Sequence, residues 1–182
     1  MKKRIVIGLV LALVLIGSTG VFAADKMFPW MTSYNKPGNI NVYGGVGYYW
    51  GGLDVAVGAE YIVGQFDIGG IPLEWGIMAQ GILGFATSFG YNNGIDWGIA
   101  PMGSLHWGTN FGGMSKFDFF VSAGLGIYGG SYWTYWNSGA LGFGFASYEG
   151  VIWMFSNNLG LLAEYGYIGW TSTGAVGIVW KL

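Results

Sequence analysis

Ser104 and His106 stand two residues apart, so in an extended chain their side chains share one face. A hydroxyl beside an imidazole is the pairing that nucleophilic catalysis uses, and His106 is the chain's only histidine. A working triad also needs a third group to orient the ring. Metal ligation is poorly served, because there is one His, no Cys, and the carboxylates are scattered along the chain. Gly124-Leu125-Gly126-Ile127-Tyr128-Gly129 has the spacing of a dinucleotide-binding turn. That turn must follow a strand and open a helix, whereas this run lies inside an alternating segment with no helix after it. We therefore assign no catalytic, cofactor-binding or metal-binding residue and expect no cofactor. The polar residues that stand out are Asp54, Glu60, Glu74, Gln80, Asp118, Glu164 and Lys181, which together with His106 recur at even spacing inside apolar stretches.

The elements carrying these residues must be unusual, because the composition is. The 182 residues are 53% hydrophobic and 19% aromatic but only 9% charged, with 36 Gly. A soluble domain carries about 25% charged residues to wet its surface. Disorder is excluded by the aromatic content, and collagen by the lack of a three-residue glycine period. No run reaches the roughly 20 apolar residues that a membrane-spanning helix needs. A chain that hides apolar surface in lipid without helices is a β-barrel.

From Asn39 the sequence keeps a period of two. Ile40, Val42, Val46 and Tyr48 alternate with Asn41, Tyr43, Gly45, Gly47 and Tyr49, and similar segments follow near 53–64, 73–85, 97–107, 117–128, 140–155, 159–170 and 174–182. Turn residues separate them: Gly51-Gly52, Gly69-Gly70, Asn92-Asn93-Gly94, Gly112-Gly113, Gly129-Gly130, Ser156-Asn157-Asn158 and Thr171-Ser172-Thr173. Eight such segments predict an all-β fold, an eight-stranded antiparallel up-and-down transmembrane barrel, since a tilted spanning strand needs about 9 to 11 residues.

The alternation assigns faces. Asp54, Glu60, Glu74, Gln80, His106, Asp118, Glu164 and Lys181 fall on the inward face, together with most strand glycines, Gly64 among them. Tyr43, Tyr49, Met78, Phe120, Tyr128 and Tyr148 are the expected lumen fillers. Glu149 alone of the strand carboxylates falls on the outward face, so a β-bulge between Ala146 and Gly150 is expected to turn it inward. Pro101 cannot donate to a ladder and marks a second irregularity. Outward aromatics gather at two rims, Trp50, Phe85, Trp97, Tyr167 and Trp170 at one and Trp75, Trp107, Phe117, Trp153, Phe155 and Trp180 at the other. Aromatic belts of this kind favour membrane interfaces.

The amino terminus reads as a secretory signal: Lys2, Lys3 and Arg4, an apolar run over 5–16, then small residues with Val21 and Ala23 suited to cleavage after Ala23. The expected organisation is a signal peptide over 1–23, a periplasmic segment over 24–38 and the barrel over 39–182. Within the segment, Met27-Phe28-Pro29-Trp30-Met31 either enters the lumen or lies on the membrane. After cleavage, Lys26, Lys36, Lys116 and Lys181 face nine acids, a balance that argues against a nucleic-acid partner.

Two stretches carry a family resemblance. Gly177-Ile178-Val179-Trp180-Lys181-Leu182 is similar to the closing strand of small outer-membrane barrels, with Leu182 where the family usually has an aromatic residue. Ser156-Asn157-Asn158-Leu159-Gly160-Leu161-Leu162-Ala163-Glu164-Tyr165-Gly166-Tyr167 resembles their last inner turn and the strand after it. The resemblance is to the OmpA/OmpX-like class, over about 39–182. It implies a Gram-negative-type outer membrane, both termini in the periplasm, outside turns near 51–52, 87–94, 129–139 and 171–173, and the barrel-assembly machinery as a partner during biogenesis.

Three function classes follow. The leading one is an integral outer-membrane barrel, with lipid as its partner and a structural or permeability role. A small cation-preferring pore is its variant, since five inward carboxylates face one inward lysine. The second class is a surface-binding barrel that uses the uncharged aromatic loop 129–139, with Tyr132, Trp133, Tyr135 and Trp136 meeting a surface ligand. A lipid-modifying enzyme using His106 comes last.

Overall fold

The computed structural model describes residues 29–49, 52–86, 94–111, 115–130 and 141–182. Among them the chain forms β1 (Met31–Thr32), β2 (Ile40–Tyr49), β3 (Gly52–Ile68), β4 (Ile71–Ala86), β5 (Gly94–Phe111), β6 (Ser115–Gly130), β7 (Gly142–Met154), β8 (Leu159–Ile168) and β9 (Thr171–Lys181). From β2 to β9 each strand pairs antiparallel with the next, and β9 pairs back onto β2. These eight strands form the closed up-and-down barrel that the alternation predicts. Closure leaves none of these eight strands as an edge, and in hydrocarbon an unsatisfied backbone group costs several kcal/mol.

The wall is apolar on its outside. Val46, Val57, Ile77 and Val176 are each more than half exposed, while Asn41, Asp54, Glu60, Glu74, Gln80, His106 and Asp118 are almost wholly buried. A soluble protein has the opposite arrangement, so this wall is built for lipid. Trp170 and Phe85 stay exposed at one rim and Trp75, Trp153 and Trp180 at the other. Trp107 stacks on Phe119 with ring centroids 6.1 Å apart. Trp50 lies outside the described residues.

Local chemistry explains the turns at the end that carries both Ile40 and Lys181, here called the terminal end. Gly69 and Gly70 join β3 to β4 in two residues with φ of 62° and 86°, a left-handed pair that a tight hairpin requires. Asp67 Oδ1 accepts from the Gly70 N–H at 2.7 Å. In the β7–β8 turn, Ser156 Oγ accepts from the N–H groups of Asn158 and Leu159 at 3.2 and 2.9 Å.

Several expectations are corrected. The pairing of β7 runs in unbroken register through Ala146, Ser147, Tyr148, Glu149 and Gly150 on both sides, so no bulge turns Glu149 inward. Glu149 stays exposed on the outer face between Val121 and Tyr165. The bulge falls instead between Ile62 and Gly64 of β3, where Gly64 comes opposite Trp75. That slip of one residue moves Gly64 to the outward face, against the indole it adjoins. It also lets β3 run on to Ile68 rather than end near Gly64. Gly129 and Gly130 belong to β6, and the β8–β9 turn is Gly169-Trp170, with 171–173 already in β9. Gly169 has φ of 61°, which explains why the chain reverses there and not two residues later. Pro101 interrupts the β5–β6 ladder as expected: pairing lapses between Ile99 and Met102 and resumes in the same register.

An outward carboxylate at mid-strand is costly in lipid, though less than the roughly 2 to 4 kcal/mol of a basic residue there. Glu149→Leu is therefore expected to stabilise the barrel by about 1 to 2 kcal/mol in urea unfolding from lipid vesicles. A loss of stability would instead mean that the carboxylate has a partner in the bilayer.

Candidate functional site

The inward polar residues gather into hydrogen-bonded groups and share the lumen with a cluster of buried apolar side chains, among them Met78, Met102, Phe120, Ile152, Met154, Leu162 and Val179. Tyr43, Met78, Phe120 and Tyr148 fill the lumen and Tyr128 packs against them, while the side chain of Tyr49 is outside the described residues.

The densest group is at the terminal end, where the barrel register brings strands of distant sequence together. Asn41 is opposite Glu60, Glu74 is opposite His106, and Gly108 is opposite Asp118, which places His106 diagonally across from Asp118. His106 Nε2 lies 2.8 Å from Glu60 Oε1, and Nδ1 lies 3.2 Å from Asp118 Oδ1. Carboxylates accept at both ring nitrogens, an arrangement that the doubly protonated imidazolium satisfies. Glu60 also accepts from Tyr43, Ser104 and, at 3.1 Å, Asn41. Phe120 stacks on the imidazole, with centroids 5.5 Å apart.

The segment before β2 completes this group. β1 pairs with β5, Met31 opposite Thr109 and Thr32 opposite Gly108. The chain then turns into the lumen mouth. Asn35 donates from its backbone N–H to Glu74 Oε1 at 3.1 Å and from Nδ2 to Asp118 Oδ2 at 2.9 Å. Its Oδ1 accepts from Asn41 at 3.3 Å, and the Ser33 hydroxyl donates to Glu74. The buried Lys181 donates to the Tyr34 carbonyl at 3.2 Å, and the Tyr34 hydroxyl donates to the Thr109 carbonyl at 2.8 Å. Residues 33–35 thus form a strap across the terminal mouth, tied to β2, β4, β5, β6 and β9. Of Met27-Phe28-Pro29-Trp30-Met31, residues 29–31 are described: Trp30 is exposed, and Met31 is buried where it pairs with Thr109 of β5.

These contacts bear on each chemistry that the sequence raised. The Ser104 hydroxyl donates to Glu60, and both nitrogens of His106 are held by carboxylates, so the histidine has no nitrogen free to take a proton from Ser104. Both residues are buried away from lipid. Glu74, His106 and Asp118, scattered in sequence, offer ligand atoms within 4.8 Å of one another. Those same atoms are engaged by Ser33, Asn35 and one another, so a metal ion there would have to displace protein donors. The donor set fits an internal ion-pair network better than a resident metal.

Nearer the other end, the Gln80 amide donates to Glu164 Oε1 at 2.9 Å, and the Thr173 hydroxyl donates to Asp54 Oδ1 at 2.8 Å. All eight inward polar residues read from the sequence are therefore inside and buried, divided between two groups. Ser33 and Asn35 escaped the sequence reading because they precede the first alternating segment. The signal that could have found them is a polar Ser-Tyr-Asn run leading into a lumen rich in acids. Tyr132, Trp133, Tyr135 and Trp136 lie outside the described residues.

No protein-family model matches the chain, and no curated protein matches it. Solved structures do. A designed transmembrane β-barrel is 21% identical with a TM-score of 0.51, covering 81% of this chain and 98% of its own. Neisserial surface protein A, NspA, is 15% identical with a TM-score of 0.47 over 79% of this chain and 95% of its own. Ail, the attachment invasion locus protein of Yersinia pestis, is 12% identical with a TM-score of 0.39 over the same shares. The chain has the fold of an eight-stranded transmembrane β-barrel.

Proposed function

We propose that this chain is an integral protein of a Gram-negative-type outer membrane whose barrel is closed to solutes and whose role is structural. Supporting the location are the apolar outer wall with aromatic rims, the secretory-type amino terminus and the closing strand over 171–181. Outer-membrane lipid is then its partner, and the barrel-assembly machinery handles it during biogenesis. One observation carries the closed state: the lumen is filled by buried side chains, with residues 33–35 bonded across its terminal mouth. Eight strands enclose just enough space for side chains to fill.

Planar-bilayer recording tests this directly. Protein shown to be inserted is expected to give no discrete conductance steps. Cation-selective steps that shrink in Glu60→Gln or Glu164→Gln would replace this reading with the small cation-preferring pore.

A further inference from the structure

We propose that the outer wall along the seam of β7 and β8 is an interface for a second copy of this chain, joined through Ser147, Glu149, Tyr165 and Tyr167. The proposal rests on the barrel lying in a bilayer and goes beyond the structural role given above.

Glu149 stands exposed on the outer wall at mid-strand, four residues from Trp153 of the terminal rim. Its neighbours are as unusual for a wall that faces lipid. Tyr165 pairs opposite it and is exposed, and two residues further from the terminal end Ser147 pairs with Tyr167. Among the described residues nothing hydrogen-bonds the Glu149 carboxyl or the hydroxyls of Tyr165 and Tyr167. Ser147 donates to the Ser122 carbonyl at 3.1 Å, which leaves its own oxygen to accept. The seam therefore offers acceptors on β7 and donors on β8, and a bilayer core has no water to meet either.

This arrangement is complementary to itself. Copies inserted by the same route share one orientation, so a closed pair has its two-fold axis along the membrane normal and matches groups of equal depth. Directly paired residues on neighbouring strands lie about 5 Å apart at nearly the same depth. An axis set between β7 and β8 exchanges the two strands. Glu149 of each copy then meets Tyr165 of the other, and Ser147 of each meets Tyr167 of the other. The flanks admit the approach: Ala123 lies beside Ser147 on β6 and Gly174 beside Tyr165 on β9, and both are exposed. Small residues are what let walls come close inside a membrane. A partner offering only a cation would satisfy Glu149 but leave the two tyrosine hydroxyls without an acceptor, whereas a second copy satisfies all of them.

The test uses the chain refolded into phosphatidylcholine vesicles and labelled at Asn157→Cys, an exposed turn position in a chain with no cysteine of its own. Energy transfer between donor- and acceptor-labelled copies is followed as the protein-to-lipid ratio rises, and it is expected to saturate. Glu149→Leu and Tyr165→Phe should each raise the half-association ratio by about ten-fold, since each removes a hydrogen bond at two symmetric places. Glu149→Gln keeps an acceptor and should stay within about three-fold of wild type. Ile77→Ala, on the opposite wall, should change nothing. Three results would overturn the interface: no association of inserted wild type at any ratio, association kept in both Glu149→Leu and Tyr165→Phe, or an equal loss in Ile77→Ala. A monomer whose unfolding midpoint rises with added phosphatidylethanolamine, only while Glu149 is present, would overturn it too and give the seam to a lipid amine. At the protein dilution of urea unfolding the copies are apart, so the stabilisation expected for Glu149→Leu stands. Conductance bears on the lumen and energy transfer on the wall, so the two readings fail separately.

Discussion

Replacing His106 with alanine is expected to lower the unfolding free energy of the barrel by about 3 to 5 kcal/mol. The imidazole is fully buried, 2.8 Å from Glu60 and 3.2 Å from Asp118, with Glu74 paired opposite on β4. Taking it away leaves Glu60, Asp118 and Glu74 in a low-dielectric space with Lys181 as the one buried basic side chain left among the described residues. Breaking a buried ion pair by removing one partner costs far more than the pair contributes, because the desolvation of the survivor is no longer offset. Urea unfolding from lipid vesicles, followed by tryptophan fluorescence, measures the loss. Combining His106→Ala with Glu60→Gln and Asp118→Asn should recover much of it, since the stranded charges go with their partner. A His106→Ala loss below about 1 kcal/mol would mean that the carboxylates are already neutral or watered, and the network would not be ionic.

The second large effect concerns the strap. Asn35→Asp is expected to destabilise the protein by about 2 to 4 kcal/mol, against about 1 to 3 kcal/mol for Asn35→Ala. The wild-type amide donates to Asp118 at 2.9 Å and to Glu74 at 3.4 Å, so it bridges two carboxylates as a neutral donor. An aspartate of the same shape has no donor to offer and adds a third negative charge at the same place. Local release is the readout that separates this from a general core defect. Residues before β2 should become sensitive to protease in Asn35→Asp while β2 to β9 stay resistant. Equal behaviour of the two variants would show that the carboxylates do not hold the strap.

The difference between these two predictions shows how legible the protein was. His106, Glu60 and Asp118 could each be placed inside from sequence, because side-chain direction in a strand has a period of two and depends on the chain nearby. Their meeting could not be read, because Glu60 and His106 are 46 residues apart and are brought together by the stagger of strands around a closed barrel. Asn35 carries no periodic signal, and its placement depends on the two carboxylates it finds. Gly64 and Glu149 show the limit of a local rule. One inserted residue at the β3 bulge reverses every direction after it, and a single unfavourable carboxylate does not force a second bulge.

By itself, then, the sequence determined the eight barrel strands, their antiparallel order, the apolar outer wall and the inward direction of Asp54, Glu60, Glu74, Gln80, His106, Asp118, Glu164 and Lys181. Each of these rests on short-range alternation, turn chemistry and the exclusion of charge from lipid. Only the tertiary structure decided that the inward groups form two separate clusters, that residues 33–35 bond across one mouth, and that Glu149 stays outside. Those outcomes depend on which strand faces which across the lumen, and that follows from register and stagger, quantities that no single strand contains.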